Sequence, residues 1–102
     1  TYDTIFPSLT NDASAVSHAI AAARSISDTV NPACDAKLFS EDFAHMARTI
    51  PGFFMLIGNG PDASHARPLH ASDYDFNDDI LRPGAAYTAT LAQQFLARQD
   101  AD

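Results

Sequence analysis

The chain has 102 residues, enough for one domain at most and a modest core. An apolar share of 46% with 19% charged residues excludes a compositionally disordered chain. The net charge of −7, with only six Lys and Arg and those scattered, excludes the clustered basic surface that nucleic acid or an acidic membrane requires.

No apolar run approaches the roughly 20 residues of a membrane span, and no signal peptide is legible. Cys34 is the single cysteine, so neither an internal disulfide nor a cysteine-rich zinc site is possible. It reads as a small buried apolar group. The expectation is a cytoplasmic protein with no nucleic-acid or membrane partner. Thr1 stands where an initiator Met is absent, which points to something removed upstream.

"TYDTIFPSL" opens the chain with alternating apolar residues, stopped by Pro7, and reads as a short edge strand. Asn11 and Asp12 supply an N-cap signal. Ala13, Val16, Ala19, Ile20, Ala23 and Ile26 then follow at helical spacing, which predicts a helix over about 12–27. Its small side chains suit close packing on a sheet. Asn31-Pro32 marks a turn, and Cys34 to Phe39 reads as a brief strand.

Ser40 is an N-cap candidate, and Glu41 and Asp42 sit where a helix start favours anions. Phe43, Met46, Ala47 and Ile50 make one stripe, ended by Pro51-Gly52. Phe53 to Ile57 is an uninterrupted apolar run, expected to be a strand covered on both faces. Residues 58–77 form a long loop rich in Gly, Pro, Asp and Ser, a type that often carries function. A last helix starts near 79–82, with Pro83 in its first turn. Ile80, Gly84, Ala85, Thr88, Leu91, Ala92, Phe95 and Leu96 are its expected core face, and "ARQDAD" frays. The order implies an α/β fold, helices packed on a mixed sheet, with too few strands to satisfy its own edges. Such a layered domain is incomplete alone.

For chemistry, His70 in "RPLHASDYDFNDD" is the leading candidate. A neutral imidazole ligates zinc, manganese and related ions. Its second ring N–H usually goes to a carboxylate, and Asp73, Asp75, Asp78 and Asp79 are near in sequence. By itself a lone histidine is a weak metal signal and reads more simply as a turn or wet-loop residue. Ser40-Glu41-Asp42-Phe43 reads as helix capping, with substrate or ligand-shell contact as its functional alternative. Gly58-Asn59-Gly60 reads as a turn at a strand end. His18, His45 and His65 have no spacing that pairs them as ligands, and Ser14, Ser40 and Ser64 lack a nucleophile-elbow context.

The segments "SEDFAHM", "PGFFMLIGNG" and "PLHASDYDFNDDILRPGAAYTATLAQQFL", in this order and spacing, resemble the C-terminal end of the M20 metallopeptidases. The similarity is strongest to the branch of amidohydrolases that includes hippurate hydrolases and N-acyl-amino-acid deacylases. It covers residues 40–97 and extends more loosely back to Tyr2, where residues 1–10 look like the return from an inserted lid domain. Residues 11–102 then correspond to the C-terminal segment of the catalytic domain.

What the resemblance implies is hydrolysis of the amide bond in an N-acylated amino acid by a metal-activated water. Two divalent ions, zinc or manganese, serve that family, and His70 matches its last metal ligand, ahead of Tyr74-Asp75-Phe76-Asn77-Asp78. This reverses the simpler reading of His70. Ala71-Ser72 departs from the Asn-Pro that follows this histidine in many relatives, and Phe39 stands where a small residue is common. The other ligands and the catalytic glutamate belong to a part of the family pattern with no match here. The expected partners are therefore the rest of the catalytic domain and a small N-acyl-amino-acid substrate, with homo-oligomers an option. The chain alone is expected neither to hold the metals nor to turn over. The rival readings are a non-catalytic small α/β interaction module and a unit with no retained function.

Overall fold

Asp12 starts the first helix, as its position predicts. In the computed structural model, which describes residue 3 and residues 5–100, its side chain accepts a hydrogen bond from the Ala15 amide at 2.8 Å. That bond satisfies one of the four amides a helix start leaves open. Helix α1 runs Ala13–Arg24 through an alanine-rich stretch of high helix propensity. Arg24 lies in its last turn, where a cation complements the helix dipole. Ser25 caps the end, its hydroxyl donating to the Ala22 carbonyl at 2.7 Å.

Helix α2, Phe43–Ala47, is a little over one turn. Ser40 does not cap it. Asp42 holds the N-cap position without a side-chain bond, and the Glu41 carboxylate accepts from the Phe43 amide at 3.3 Å. A single 3-10 turn, Asp78–Ile80, leads directly into helix α3, Leu81–Gln99, with Pro83 inside the first turn.

The α/β expectation is overturned: among the described residues there is no β-strand, only these helices and irregular chain. The segment Phe53 to Ile57 shows why. A strand needs a second backbone to take its amides and carbonyls. Here the Asn11 side chain takes that place. It donates to the Phe54 carbonyl at 3.3 Å and accepts from the Phe54 amide at 2.9 Å. Beside it, the Asp12 amide donates to the Gly52 carbonyl at 2.9 Å. One carboxamide and one helix start thus occupy the pairing positions, and no ladder extends from them. Apolar content signalled burial, not backbone partners. The expected strand at Cys34–Phe39 is likewise exposed irregular chain, and Cys34 is exposed rather than buried. The opening edge segment lies partly outside the described residues, and its described part is not a strand. The interaction-module alternative, drawn as a small α/β domain, loses its sheet by the same finding.

α1 packs on α3, not on a sheet. Ala19 and Ala22 are buried on α1, and small side chains of this kind let two helix backbones approach. His18 meets Phe95 edge-on, with ring centroids 6.2 Å apart. On α3 the buried residue is Tyr87, which the expected core stripe omitted, while Phe95 and Leu96 are exposed. The face that turns inward runs through Ile80, Gly84, Tyr87 and Leu91, narrower than the stripe read from apolarity. The Tyr87 hydroxyl is buried without a hydrogen-bond partner among the described residues, and this burial pushes its pKa up.

Phe54 also joins Phe43 and Phe39, at centroid distances of 5.9 and 6.5 Å, and ties α2 to the extended segment. Among the described residues the buried apolar set is small: Ala19, Ala22, Ala44 and Tyr87, together with Pro7. The accessible surface of 8182 Å² exceeds the approximately 5,600 Å² of a compact monomer of this length. The radius of gyration is 15.8 Å, against about 13 Å for such a monomer. An open groove of about 770 Å³ runs beside α1, lined in part by Val16, Ile20, Phe39, Phe53 and Met55. Among the described residues no helix is long and apolar enough to cross a membrane.

The Asp12 cap yields a direct expectation. Asp12→Ala should lower stability by about 1 kcal/mol, and Asp12→Asn, which keeps the accepting oxygen, by only a few tenths. Denaturant midpoints followed by helical circular dichroism measure both.

Candidate metal-ligand loop

The segment between the 53–57 run and the 3-10 turn is the long loop the sequence indicates, and it is closed by its own polar groups. Asn59 is the centre of that closure. Its Nδ2 donates to the His65 carbonyl at 2.9 Å and to the Asp75 carbonyl at 2.7 Å. Its Oδ1 accepts from the Asn77 amide at 2.9 Å, while Asn77 Nδ2 donates to the Asn59 carbonyl at 2.9 Å. Asn77 Oδ1 in turn accepts from the Asp79 amide at 3.0 Å and caps the 3-10 turn. The loop neck is therefore fastened to the start of α3. Gly60 makes the tight entry possible. Its φ is +127°, and a Cβ there would stand 3.2 Å from Asn77 Nδ2 and 3.3 Å from the His65 Cβ.

A second tie lies inside the first. Asp62 Oδ1 accepts from the Ser64 amide, the Ser64 hydroxyl and the His65 amide at 3.1, 2.7 and 3.0 Å. Asp62 Oδ2 accepts from His65 Nδ1 at 2.8 Å. On its other side, His65 Nε2 stands 3.8 Å from Asp75 Oδ2, across the loop. A third tie is the ion pair from Arg67 Nε to Asp73 Oδ2, at 3.2 Å. Between these two residues the chain makes successive turns. The Ala71 amide donates to the Pro68 carbonyl at 2.9 Å, and the Tyr74 amide to the Ala71 carbonyl at 3.1 Å. His70 occupies the tip of this nest.

His70 is exposed, and among the described residues no hydrogen bond or ion pair engages its ring. The nearby carboxylates have other work: Asp73 pairs with Arg67, and Asp75 faces His65. Among the described residues no three His, Cys, Asp or Glu side chains gather as a metal site. The donor chemistry here fits one ligand position of a metal centre, with an accessible imidazole on a braced turn, and does not fit a whole centre. Glu41 acts as a cap, in line with the plainer reading of its segment. His45 is exposed and its Nε2 donates to the Ile5 carbonyl at 3.0 Å. The groove beside α1 does not include the His70 turn among its walls.

Sequence spacing missed Asn59 and His65. The signal for His65 was the Asp62-Ala63-Ser64-His65 order, since Asp commonly turns the chain by accepting from amides two and three residues on. Asn59 carried no comparable local signal, because its partners are up to 18 residues away.

Both titrating members of the inner tie are displaced. His65 and Ser64 hydrogen bonds to the Asp62 carboxylate hold it well below the usual carboxylate range. The Asp62 hydrogen bond, with smaller help from the Asp75 and Asp79 charges, raises His65 against a desolvation effect of opposite sign. The depressed Asp62 stabilises the turn above its unfolded pKa of about 3.9, and this is lost as pH falls through the folded value. The raised His65 stabilises it below about 6.5, and this is lost as pH rises through the folded value. Protection of the Ser64 and His65 amides should therefore be greatest between about pH 4 and 6.5, read by hydrogen exchange corrected for intrinsic rate. Gly60→Ala should cost about 1–3 kcal/mol, read as a lowered denaturation midpoint.

Comparison with known proteins places this sequence in a family. The sequence profile of peptidase family M20/M25/M40 matches residues 1–94. IAA-amino acid hydrolase ILR1-like 2 of Arabidopsis thaliana is 42% identical over 57 residues, which is 56% of this chain and 13% of that protein. IAA-amino acid hydrolase ILR1-like 5 of the same plant is 36% identical over 61 residues, 58% of this chain and 14% of that protein. The chain thus spans about one seventh of the length of these curated relatives. No solved structure matches it. With nearly its whole length matched by the profile, the chain belongs to peptidase family M20/M25/M40.

Proposed function

We propose that a complete protein carrying this chain is a metal-dependent hydrolase of the amide bond in N-acylated amino acids, with His70 as one ligand of its metal centre. The observation that carries the reading is the placement of His70: an accessible ring, without a hydrogen-bond partner among the described residues, at the tip of a loop with three internal ties, in a member of this family. The relatives named IAA-amino acid hydrolases support the substrate class, an acyl group joined to an amino acid. Zinc or manganese, as a pair of ions, is the expected metal.

When bound, a divalent ion supplies an acidified water and polarises the scissile carbonyl. The net change adds water across the amide and releases the acid and the amino acid. The part of this chain is narrower. His70 offers the lone pair of a neutral imidazole. Arg67 and Asp73 bracket its turn, so it is the backbone that carries the ring, not the ring itself, that is braced. One imidazole does not make a metal centre, so the remaining ligands and the general base come from elsewhere in the complete protein. The 102 residues by themselves are read as inactive.

Replacing His70 tests the reading. His70→Ala in the complete protein should lower kcat/KM on an N-acyl amino acid such as N-benzoylglycine by about a hundredfold or more. Metal content, measured by elemental analysis, should fall with it. A chelator should abolish hydrolysis in the parent protein and zinc or manganese restore it. A His70→Ala protein with parental activity and metal content would sink the proposal.

A further inference from the structure

The nine residues 66–74 that present His70 leave the rest of the loop at His65 and return to it at Asp75. One side-chain nitrogen holds the carbonyls of both: Asn59 Nδ2, at 2.9 and 2.7 Å. The remaining polar atom of that carboxamide, Oδ1, fixes the Asn77 amide at 2.9 Å, and Asn77 answers with its own amide group on the Asn59 carbonyl at 2.9 Å. Both N–H donors of the Asn59 carboxamide are thus spent on the two feet of the His70 segment, and its oxygen holds the approach to α3.

We propose that Asn59 is a positioning residue for His70: by gripping the His65 and Asp75 carbonyls together it sets the base of the turn from which the imidazole projects.

This rests on the reading of His70 as a metal ligand and adds the group that orients it from a distance. The other ties do not substitute for it. Arg67–Asp73 is an exposed ion pair of small worth, and His65–Asp75, at 3.8 Å, is too long for a hydrogen bond. Asn59 is half-buried, and its four short bonds are to backbone or to the asparagine that caps the next helix. Asparagine is also required in kind. Aspartate keeps the acceptor for the Asn77 amide but turns an anion toward two carbonyl oxygens. Alanine removes the grip altogether.

The test uses the complete protein and three variants: Asn59→Asp, Asn59→Ala as the uncharged alternative should the first not fold, and His70→Ala. Hydrogen exchange by mass spectrometry reads the loop, and zinc titration by calorimetry reads the metal site. The expected result is several-fold faster exchange in residues 66–74, with α1 and α3 beyond its first turn unchanged. With it goes zinc affinity weaker by about tenfold. Excess zinc should then recover kcat in the Asn59 variants but not in His70→Ala. Unchanged exchange in 66–74 would overturn the inference. So would a loosened loop with parental zinc affinity, since the grip would then be structural only. A His70→Ala protein that binds zinc and hydrolyses normally would instead reject the ligand reading, and the exchange data would separate that outcome from a failure of the grip.

Discussion

The Asn59 carboxamide is the constraint on which the arrangement of this chain depends. Its one nitrogen joins two carbonyls ten residues apart in sequence, His65 and Asp75, and its oxygen anchors the entry to α3 through Asn77. Remove those bonds and, apart from local turns, the ties left across the His70 segment are exposed charge pairs, which contribute little in water. The same device appears five residues earlier, at Phe54. Asn11 takes both the amide and the carbonyl of Phe54 and so fixes the extended segment against the start of α1. A carboxamide presents a donor and an acceptor in the spacing of a peptide group. At both places it stands where a neighbouring backbone would otherwise pair. The chain is organised by asparagine side chains as much as by its small core.

That substitution explains where the sequence was legible and where it was not. Local signals read well. Asp12 caps α1, Pro83 sits in the first turn of α3, and the 58–77 segment is a loop. Each is decided by a residue and its near neighbours. The sheet failed because an apolar run such as Phe53 to Ile57 reports a wish for burial and says nothing about which groups will take its amides. Cys34 failed for a related reason: small apolar residues are buried on average, and here the surrounding decade of residues is exposed. On α3 the apolar stripe was drawn too wide. The inward face follows Tyr87, the buried residue of α3, while Phe95 and Leu96 stay exposed.

The candidate site was half legible. His70 came from a resemblance to a family pattern and not from chemistry in its neighbourhood, since a single histidine offers no ligand set to count. What the structure adds is the mechanical setting. Three ties of decreasing span, Asn59 to Asn77, His65 to Asp75 and Arg67 to Asp73, converge on the turn that bears the ring. Two of the four acidic residues that seemed placed to support His70, Asp73 and Asp75, are instead used in this frame. These ties restrain the backbone of the turn, while the His70 ring itself is free of contacts among the described residues.

A diffraction experiment on the complete, zinc-loaded protein, with data collected at the zinc absorption edge, addresses the central claim most directly. The account predicts an anomalous peak about 2.0–2.1 Å from a ring nitrogen of His70, with the Asn59 bonds to His65 and Asp75 as they are here. A zinc ion coordinated without His70, or bound by it only after those bonds have broken, would contradict it.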